Sequence, residues 1–173
     1  MGSASALNYS LKSISKAGIP EAISKAELYR YINEPEEAES ICHDILTIDP
    51  GNQLALRMLG LSITDQFTGA PNDRYGEVQS IFERLSDRYE RWYYLGLLHE
   101  RRAKVQLRAG RPPHTLRVLF EEAMRCFEEA EKIRPQGNDD SILRWNRCVR
   151  LLHSHPGVEA AEEVLDIGDS KPF

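Results

Sequence analysis

The sequence of 173 residues predicts an all-α fold built from antiparallel helical hairpins. Through most of the chain, apolar residues recur at steps of three and four, which places them on one face of a helix. Proline, glycine and asparagine interrupt this spacing at short intervals, where turns are expected. No stretch alternates β-branched or aromatic residues with polar ones between hairpin turns, so no β-strands are predicted.

The pattern is most regular in residues 22–50, which read as two helices joined by a short turn. Ala26 lies on the apolar face of the first helix and Ala38 on that of the second, and residues 33–35 break the pattern between them. Two short helices with apolar faces and so short a connection form an αα-hairpin. Small residues at such a crossing let the two backbones approach closely.

The same arrangement returns along the chain. Gly60 follows Ala26 after 34 positions, and Gly96 follows Gly60 after 36. A period of this length is that of the tetratricopeptide repeat. Residues 22–50 resemble this repeat through Ala26, Tyr29, Ala38 and the closing Pro50, with Lys25 at a position where leucine is usual. The resemblance implies a right-handed α-solenoid, a TPR-like superhelix of three to three and a half hairpins.

Two segments depart from the repeat. Residues 67–75 form a longer loop than the turn of the first hairpin, and we expect the return helix to run from Gly76 to about Tyr89. The next helix, expected over about 90–109, continues to Gly110, so its hairpin should stand roughly two turns taller.

This organisation predicts three parts. Residues 1–19 form a flexible or helical lead-in, residues 20–155 form the TPR-like repeat domain, and residues 156–173 form a C-terminal cap and tail. The last helix of the domain is expected to begin after Asp139 or Asp140. A stack of repeats needs an end helix with a polar outer face, and residues 139–165 are the candidates.

The composition and the motifs of the sequence limit the classes of function that are expected. The net charge of -5 argues against a general affinity for nucleic acid, and the three cysteines lack a CxxC spacing, which favours a cytoplasmic location. No apolar run is long enough to span a bilayer, so no membrane contact is expected. No nucleophile elbow, phosphate loop or HExxH motif occurs. We therefore expect no enzyme activity, no cofactor and no metal, with Cys42 a buried core residue and His153 and His155 at a helix end.

The resemblance implies that the first helices of successive hairpins line a concave groove that holds a segment of a partner. The groove residues are predicted by counting, along each helix, which side chains face away from the packed positions Ala26, Gly60 and Gly96. They are Glu27, Arg30, Arg57, Asp65, Tyr93, Glu100, Arg101 and Arg150. The lysine and asparagine clamp by which one subgroup of the family holds a free carboxylate is absent.

A basic stripe of Arg101, Lys104 and Arg108 runs along the predicted long helix, and three arginines of the last helix make a second one. Such stripes can receive an acidic peptide, a phosphate or an RNA backbone. Alternatively, they merely solvate a helix face, or they pair with the glutamates of the neighbouring helix. These are Glu121, Glu122, Glu128, Glu129 and Glu131.

The sequence thus predicts a non-catalytic protein-interaction module or adaptor that binds a protein or peptide partner, through an acidic or mixed segment, in its groove. One alternative is binding of RNA or a phosphate ligand along the basic helix face. Another is a self-associating assembly subunit, so that the chain is a monomer or a weak homo-oligomer. The N- or C-terminal tail is a further candidate occupant of the groove, and the sequence leaves this open.

Overall fold

A computed structural model describes residues 9–155, and all regular secondary structure in this range is helical. The all-α prediction is therefore confirmed. The helices are α1 (Ile19–Tyr31), α2 (Pro35–Ile48), α3 (Gln53–Asp65), α4 (Tyr75–Glu83), α5 (Arg88–Arg108), α6 (Arg117–Lys132) and α7 (Asp140–Ser154). Short 3₁₀ turns at Lys16–Gly18 and Pro113–Leu116 precede α1 and α6.

Local sequence explains where the first helices begin and end. Prolines occupy the first turns of α1 and α2, where the missing N–H is no loss. Between these helices Asn33 adopts a positive φ of 63°, which lets the chain reverse within three residues. The side chain of Asn52 caps α3 as expected, accepting a hydrogen bond of 3.0 Å from the backbone N–H of Ala55.

Each helix packs against the next helix in the chain, from α1 to α7. The odd-numbered helices also contact one another in order, α1 with α3, α3 with α5 and α5 with α7. They therefore lie side by side along one face of the molecule. The apolar core runs between the helices as three adjoining clusters, the largest around α2, α3 and α4.

The small residues of the repeat pattern lie at these helix crossings. Ala26, Ala38 and Ala123 are fully buried. A Cβ at Gly60 would lie 2.2 Å from a ring carbon of Phe82, and a Cβ at Gly96 would lie 2.6 Å from one of Phe127. Each glycine therefore leaves the space that an aromatic ring of the following helix fills.

The third hairpin is the tall one, as predicted. Helix α5 has 21 residues against 13 in α1 and in α3. At 1.5 Å per residue it is about 32 Å long where the others are about 20 Å. Gly110, with a φ of 85°, ends it.

The predicted boundary between α4 and α5 is wrong. Helix α4 ends at Glu83 rather than near Tyr89, and α5 begins at Arg88 rather than Glu90. The carboxylate of Asp87 accepts a hydrogen bond of 2.8 Å from the backbone N–H of Glu90 and so starts a new helix. Leu85 lies in the connection and is fully buried. Because this apolar residue continues the helical spacing of α4, the sequence predicted a longer helix.

At the N-terminal end, residues 9–15 are not helical. Leu11 is 95% exposed, so a helix there would bury little apolar surface. The predicted cap and tail over 156–173 lie outside the described residues. Within the described residues no helix combines the length and apolar character that a bilayer crossing requires.

Candidate functional site

A basic cleft with a volume of about 570 Å³ opens between α1, α3, α5 and the loop that follows α3. Arg30 comes from the last turn of α1, and Thr64 and Asp65 come from the end of α3. The predicted basic stripe of α5 supplies the remaining charges. The polar residues that define the basic cleft are Arg30, Thr64, Asp65, Arg101, Lys104 and Arg108.

The carboxylate of Asp65 joins three helices at the floor of this cleft. It accepts a hydrogen bond of 2.6 Å from Arg30 Nε of α1 and one of 2.5 Å from Arg101 Nη1 of α5. Arg101 Nη1 also donates to Thr64 Oγ1 at 2.6 Å. The side chains of all three charged residues are about one quarter exposed or less. Burial lowers the pKa of Arg101, and the neighbouring Asp65 opposes that shift.

The outer part of the cleft keeps unneutralised positive charge. Arg108 is exposed, and its Nε donates to the backbone oxygen of Lys104 at 3.4 Å. Among residues 9–155 no carboxylate forms an ion pair with Arg108. The cleft is lined by four cations and one carboxylate, and the buried Glu100 pairs with Lys104 beneath it, which leaves an excess of two positive charges. Part of this charge complements the negative ends of the helix dipoles of α1 and α5, and the rest faces solvent.

The wall of the cleft is made by the two segments that depart from the repeat. Phe67 and Thr68 come from the long loop, and Val105 and Ala109 come from the extra turns of α5. The carboxylate of Asp73 holds the loop by accepting backbone hydrogen bonds of 3.0 Å from Thr68 and 2.8 Å from Gly69. The insertion and the long helix therefore build one feature together.

The loop approaches α5 through a glycine. Gly69 has a φ of 85°, and a Cβ placed there would lie 2.8 Å from the backbone oxygen of Val105 and 2.9 Å from the Cβ of Ala109. Only glycine permits both this conformation and this distance. The contact holds the loop against the last turns of α5.

Two predicted groove residues, Arg57 and Tyr93, lie inside the helix packing. Arg57 Nη1 donates a hydrogen bond of 2.6 Å to Glu90, and its guanidinium lies 6.0 Å from the ring centre of Tyr94. The ring of Tyr93 lies 5.9 Å from that of Tyr89 and 6.0 Å from that of Phe127, so it packs between α5 and α6. These contacts link helices, and the Arg57 side chain remains 27% exposed, about as much as that of Arg101 in the cleft.

A third, Glu100, is fully buried where α5 meets α7. Its Oε1 lies 3.3 Å from Lys104 Nζ and 3.5 Å from Arg144 Nη1. Within the described range its Oε2 has no hydrogen-bond partner. The carboxylate of Glu100 thus neutralises Lys104 from the buried side of the helix. It also pairs with Arg144, an arginine of the second stripe, within the helix packing.

The remaining predicted residues lie apart from the cleft. Glu27 and Arg150 are exposed but do not line it. The basic cleft therefore gathers Arg30, Asp65 and the whole basic stripe of α5, whereas the predicted groove residues on α7 and in the first turns of α5 do not contribute.

The alternative that the stripe of α5 pairs with the glutamates of α6 is wrong. Three of those glutamates pair instead with cations of their own helix. The pairs are Arg117 with Glu121, Arg125 with Glu122 and Lys132 with Glu129. Their i,i+3 and i,i+4 spacing makes these local contacts. Within the stripe Arg101 pairs with Asp65 and Lys104 with Glu100, so Arg108 is the stripe residue without a carboxylate partner among the described residues.

No reactive cysteine occurs in the described part of the chain. Cys42, Cys126 and Cys148 are buried and unpaired. Burial raises the pKa of Cys42 and Cys148 to about 12 and that of Cys126 to about 11. At neutral pH these thiols are protonated and poor nucleophiles. Residues 9–155 also contain no group of three His, Cys, Asp or Glu side chains suited to hold a metal ion.

Sequence reasoning missed the loop side of the cleft. Phe67 and Thr68 carry no motif, and the only available signal was that the insertion and the helix extension both depart from the repeat. No protein-family model and no curated protein matches the sequence significantly. The case for function therefore depends on the geometry of the chain itself.

Proposed function

We propose that this chain is a non-catalytic protein-interaction module whose basic cleft binds an acidic segment of a partner protein. The observation that carries the proposal is the excess of two positive charges in an open cleft, with Arg108 exposed and free of carboxylate partners among the described residues. We further propose that the hairpins form a right-handed solenoid of the tetratricopeptide type.

The chemistry of the cleft suits a carboxylate-bearing peptide. Arginine presents its N–H donors in a planar fork that matches a carboxylate, and Lys104 adds a mobile point charge. The partly buried Val105 and the exposed Ala109, with the largely buried Phe67, give the wall of the cleft an apolar part, so a segment that mixes acidic and apolar residues fits better than a purely acidic one.

The packing supports the proposed solenoid. Helices contact their neighbours in chain order, and the odd-numbered helices contact one another along one face. The crossings are made by Ala26, Gly60 and Gly96, at intervals of 34 and 36 residues. Repeats that contact only their neighbours in this way form elongated stacks with a long binding surface.

A selection experiment tests the function without a known partner. Short peptides of random sequence are displayed and selected on the full chain, and the enriched pools are then compared on variants. We expect enrichment of Asp and Glu among the selected peptides, and loss of their binding to Arg108→Glu.

Arg147→Glu is the matched control, because Arg147 is also exposed but lies on α7 outside the cleft. It should retain the selected peptides. A pool without acidic enrichment, or equal binding to both variants, would contradict the proposal. Stronger retention of a single-stranded RNA than of the peptides, steeply dependent on salt, would favour the nucleic-acid alternative instead.

A further inference from the structure

The negative charge of the chain is concentrated at its C-terminal end. Residues 156–173 contain five acidic side chains and one lysine, so they carry -4 of the net charge of -5. Their acidic residues are Glu159, Glu162, Glu163, Asp166 and Asp169. Between them lie the apolar residues Val164, Leu165 and Ile167, with Val158 just before them. This segment, 158–169, therefore has the mixed acidic and apolar character that the basic cleft favours.

The end of α7 lies near the end of α5, whose last turns line the cleft. The chain reverses between α5 and α6 and again between α6 and α7, so α7 runs parallel to α5. Arg144 of α7 contacts Glu100 of α5 at 3.5 Å, which aligns the two helices. Ten residues later α7 ends at Ser154, about 15 Å along its axis, and α5 ends eight residues after Glu100, about 12 Å along. The two helices thus end at about the same level.

We propose that residues 158–169 bind in the basic cleft of their own chain and compete there with the partner segment. The inference extends the proposed function, because it takes the same cleft to be a site for acidic segments. Carboxylates of the segment would pair with Arg108 and Lys104, and its apolar residues would contact the wall at Phe67 and Val105.

Length and tethering favour binding within one chain. At about 3.3 Å per residue, residues 156–173 span up to about 60 Å when extended. A tethered segment has an effective concentration on the order of millimolar, so even weak ion pairs suffice to hold it for much of the time. The contact should weaken as salt screens the charges.

A spin label tests this directly in the full chain. The native cysteines are buried and their thiol pKa values are raised, so a nitroxide reagent will modify an added cysteine selectively. With the label on Ala161→Cys, amide NMR signals of Thr68 and of α5 from Arg101 to Arg108 should broaden at low salt. Replacing the five acids by Gln or Asn should abolish the broadening.

Three results would overturn the inference. The first is an absence of broadening in the cleft. The second is broadening centred on the exposed apolar residues Leu28 and Tyr31 of α1, which would place the segment elsewhere. The third is broadening of an isotope-labelled chain by a separate, spin-labelled chain to the same extent, which would make the contact one between two copies.

Peptide binding separates this inference from the function on which it depends. If the segment competes, the variant with the five acids neutralised should bind the selected acidic peptides at least about threefold more tightly than the unaltered chain. Equal affinities would refute the competition while leaving the cleft a peptide site. Failure of both chains to bind any acidic peptide, with the label still broadening the cleft, would refute the proposed function and the competition, and would leave only the binding of the segment in its own cleft.

Discussion

Gly60 illustrates how single residues set the spacing of the helices. Its α-carbon faces the ring of Phe82 so closely that a Cβ would lie 2.2 Å from the ring, and Phe82 is fully buried and has no room to withdraw. Gly96 and Phe127 repeat the arrangement one hairpin later. The glycines cost helix propensity and in return admit an aromatic ring.

Gly60→Ala should therefore destabilise the protein. Overpacking against Phe82 should lower the free energy of unfolding by about 1–3 kcal/mol, even after the gain in helix propensity. Gly76→Ala is the control, because no atom lies within 4 Å of a Cβ built there, and it should be neutral or stabilising by up to about 1 kcal/mol. Chemical denaturation measures both changes, and a stabilised Gly60→Ala variant would contradict the packing described.

The stability of the fold should depend on pH through the titration of His99. Its Nδ1 lies 2.7 Å from the hydroxyl of Tyr75. Burial lowers the pKa of His99, with Arg125 and Arg102 acting in the same direction and Glu122 against it. The unfolded chain therefore binds a proton here before the folded chain does. Stability should be retained above the ordinary histidine pKa of about 6.5 and fall as the pH drops below it.

We expect His99→Asn to flatten this dependence. Unfolding by denaturant between about pH 7.5 and 5.5 should show a smaller loss of stability in His99→Asn than in the unaltered chain. The difference is bounded by about 1.4 kcal/mol per pH unit for one group. The exposed His114 offers the control, since His114→Asn should keep the original slope. An unchanged slope in His99→Asn would show that this histidine is not responsible.

At the scale of elements, the loop over 67–74 and the extra turns of α5 depend on each other. The loop covers the surface that α5 would otherwise expose, and α5 gives the loop a surface on which to rest. Gly69 is the point of contact, where a Cβ would lie 2.8 Å from the backbone oxygen of Val105. Because both elements line the cleft, a change at this contact should alter stability and binding together.

Gly69→Ala should lower the free energy of unfolding by more than the unfavourable backbone conformation alone would. Gly110 has the same φ of 85° but no atom within 4 Å of a Cβ, so Gly110→Ala measures the conformational cost, about 1–2 kcal/mol. Gly69→Ala adds the clash with Val105 and Ala109, about 1–3 kcal/mol more. It should also weaken binding of the selected peptides, whereas Gly110→Ala should not. Equal losses of stability in the two variants would refute a tight contact between loop and helix.

The boundary between α4 and α5 shows the limit of periodicity as a guide to elements. Leu85 continues the apolar spacing of α4 because it must be buried, not because it is helical. The competing signal was Asp87, whose capping bond to Glu90 starts α5. Both helices were predicted, but their ends were decided by a cap that the apolar spacing obscured.

At the scale of the whole molecule, the order of the helices followed from the repeat, whereas the cleft did not. Spacing predicted the buried positions of Ala26, Gly60 and Gly96, because packing at a crossing depends on local size. The cleft depends on contacts between distant segments, such as Asp65 bridging Arg30 and Arg101. The direction of a side chain can be counted along one helix, but this does not show which other side chains contact it. The contacts of Arg57 and Tyr93 could therefore not be predicted.

The net negative charge and the excess of positive charge belong to different parts of the sequence. Nearly all of the net negative charge lies in residues 156–173, whereas the cleft carries an excess of positive charge. A partner's acidic segment and the chain's own acidic segment would meet the same arginine and lysine side chains. Binding should therefore depend on salt and on the sign of the charge at Arg108.

A charge exchange at Arg108 tests the central claim most directly. The affinity of one selected acidic peptide is measured by fluorescence anisotropy for the unaltered chain and for Arg108→Glu, and again with a peptide whose acidic residues are replaced by lysine. We predict that Arg108→Glu binds the acidic peptide at least about tenfold more weakly and the lysine peptide more tightly. If Arg108→Glu bound both peptides as the unaltered chain does, the basic cleft would not be the binding site.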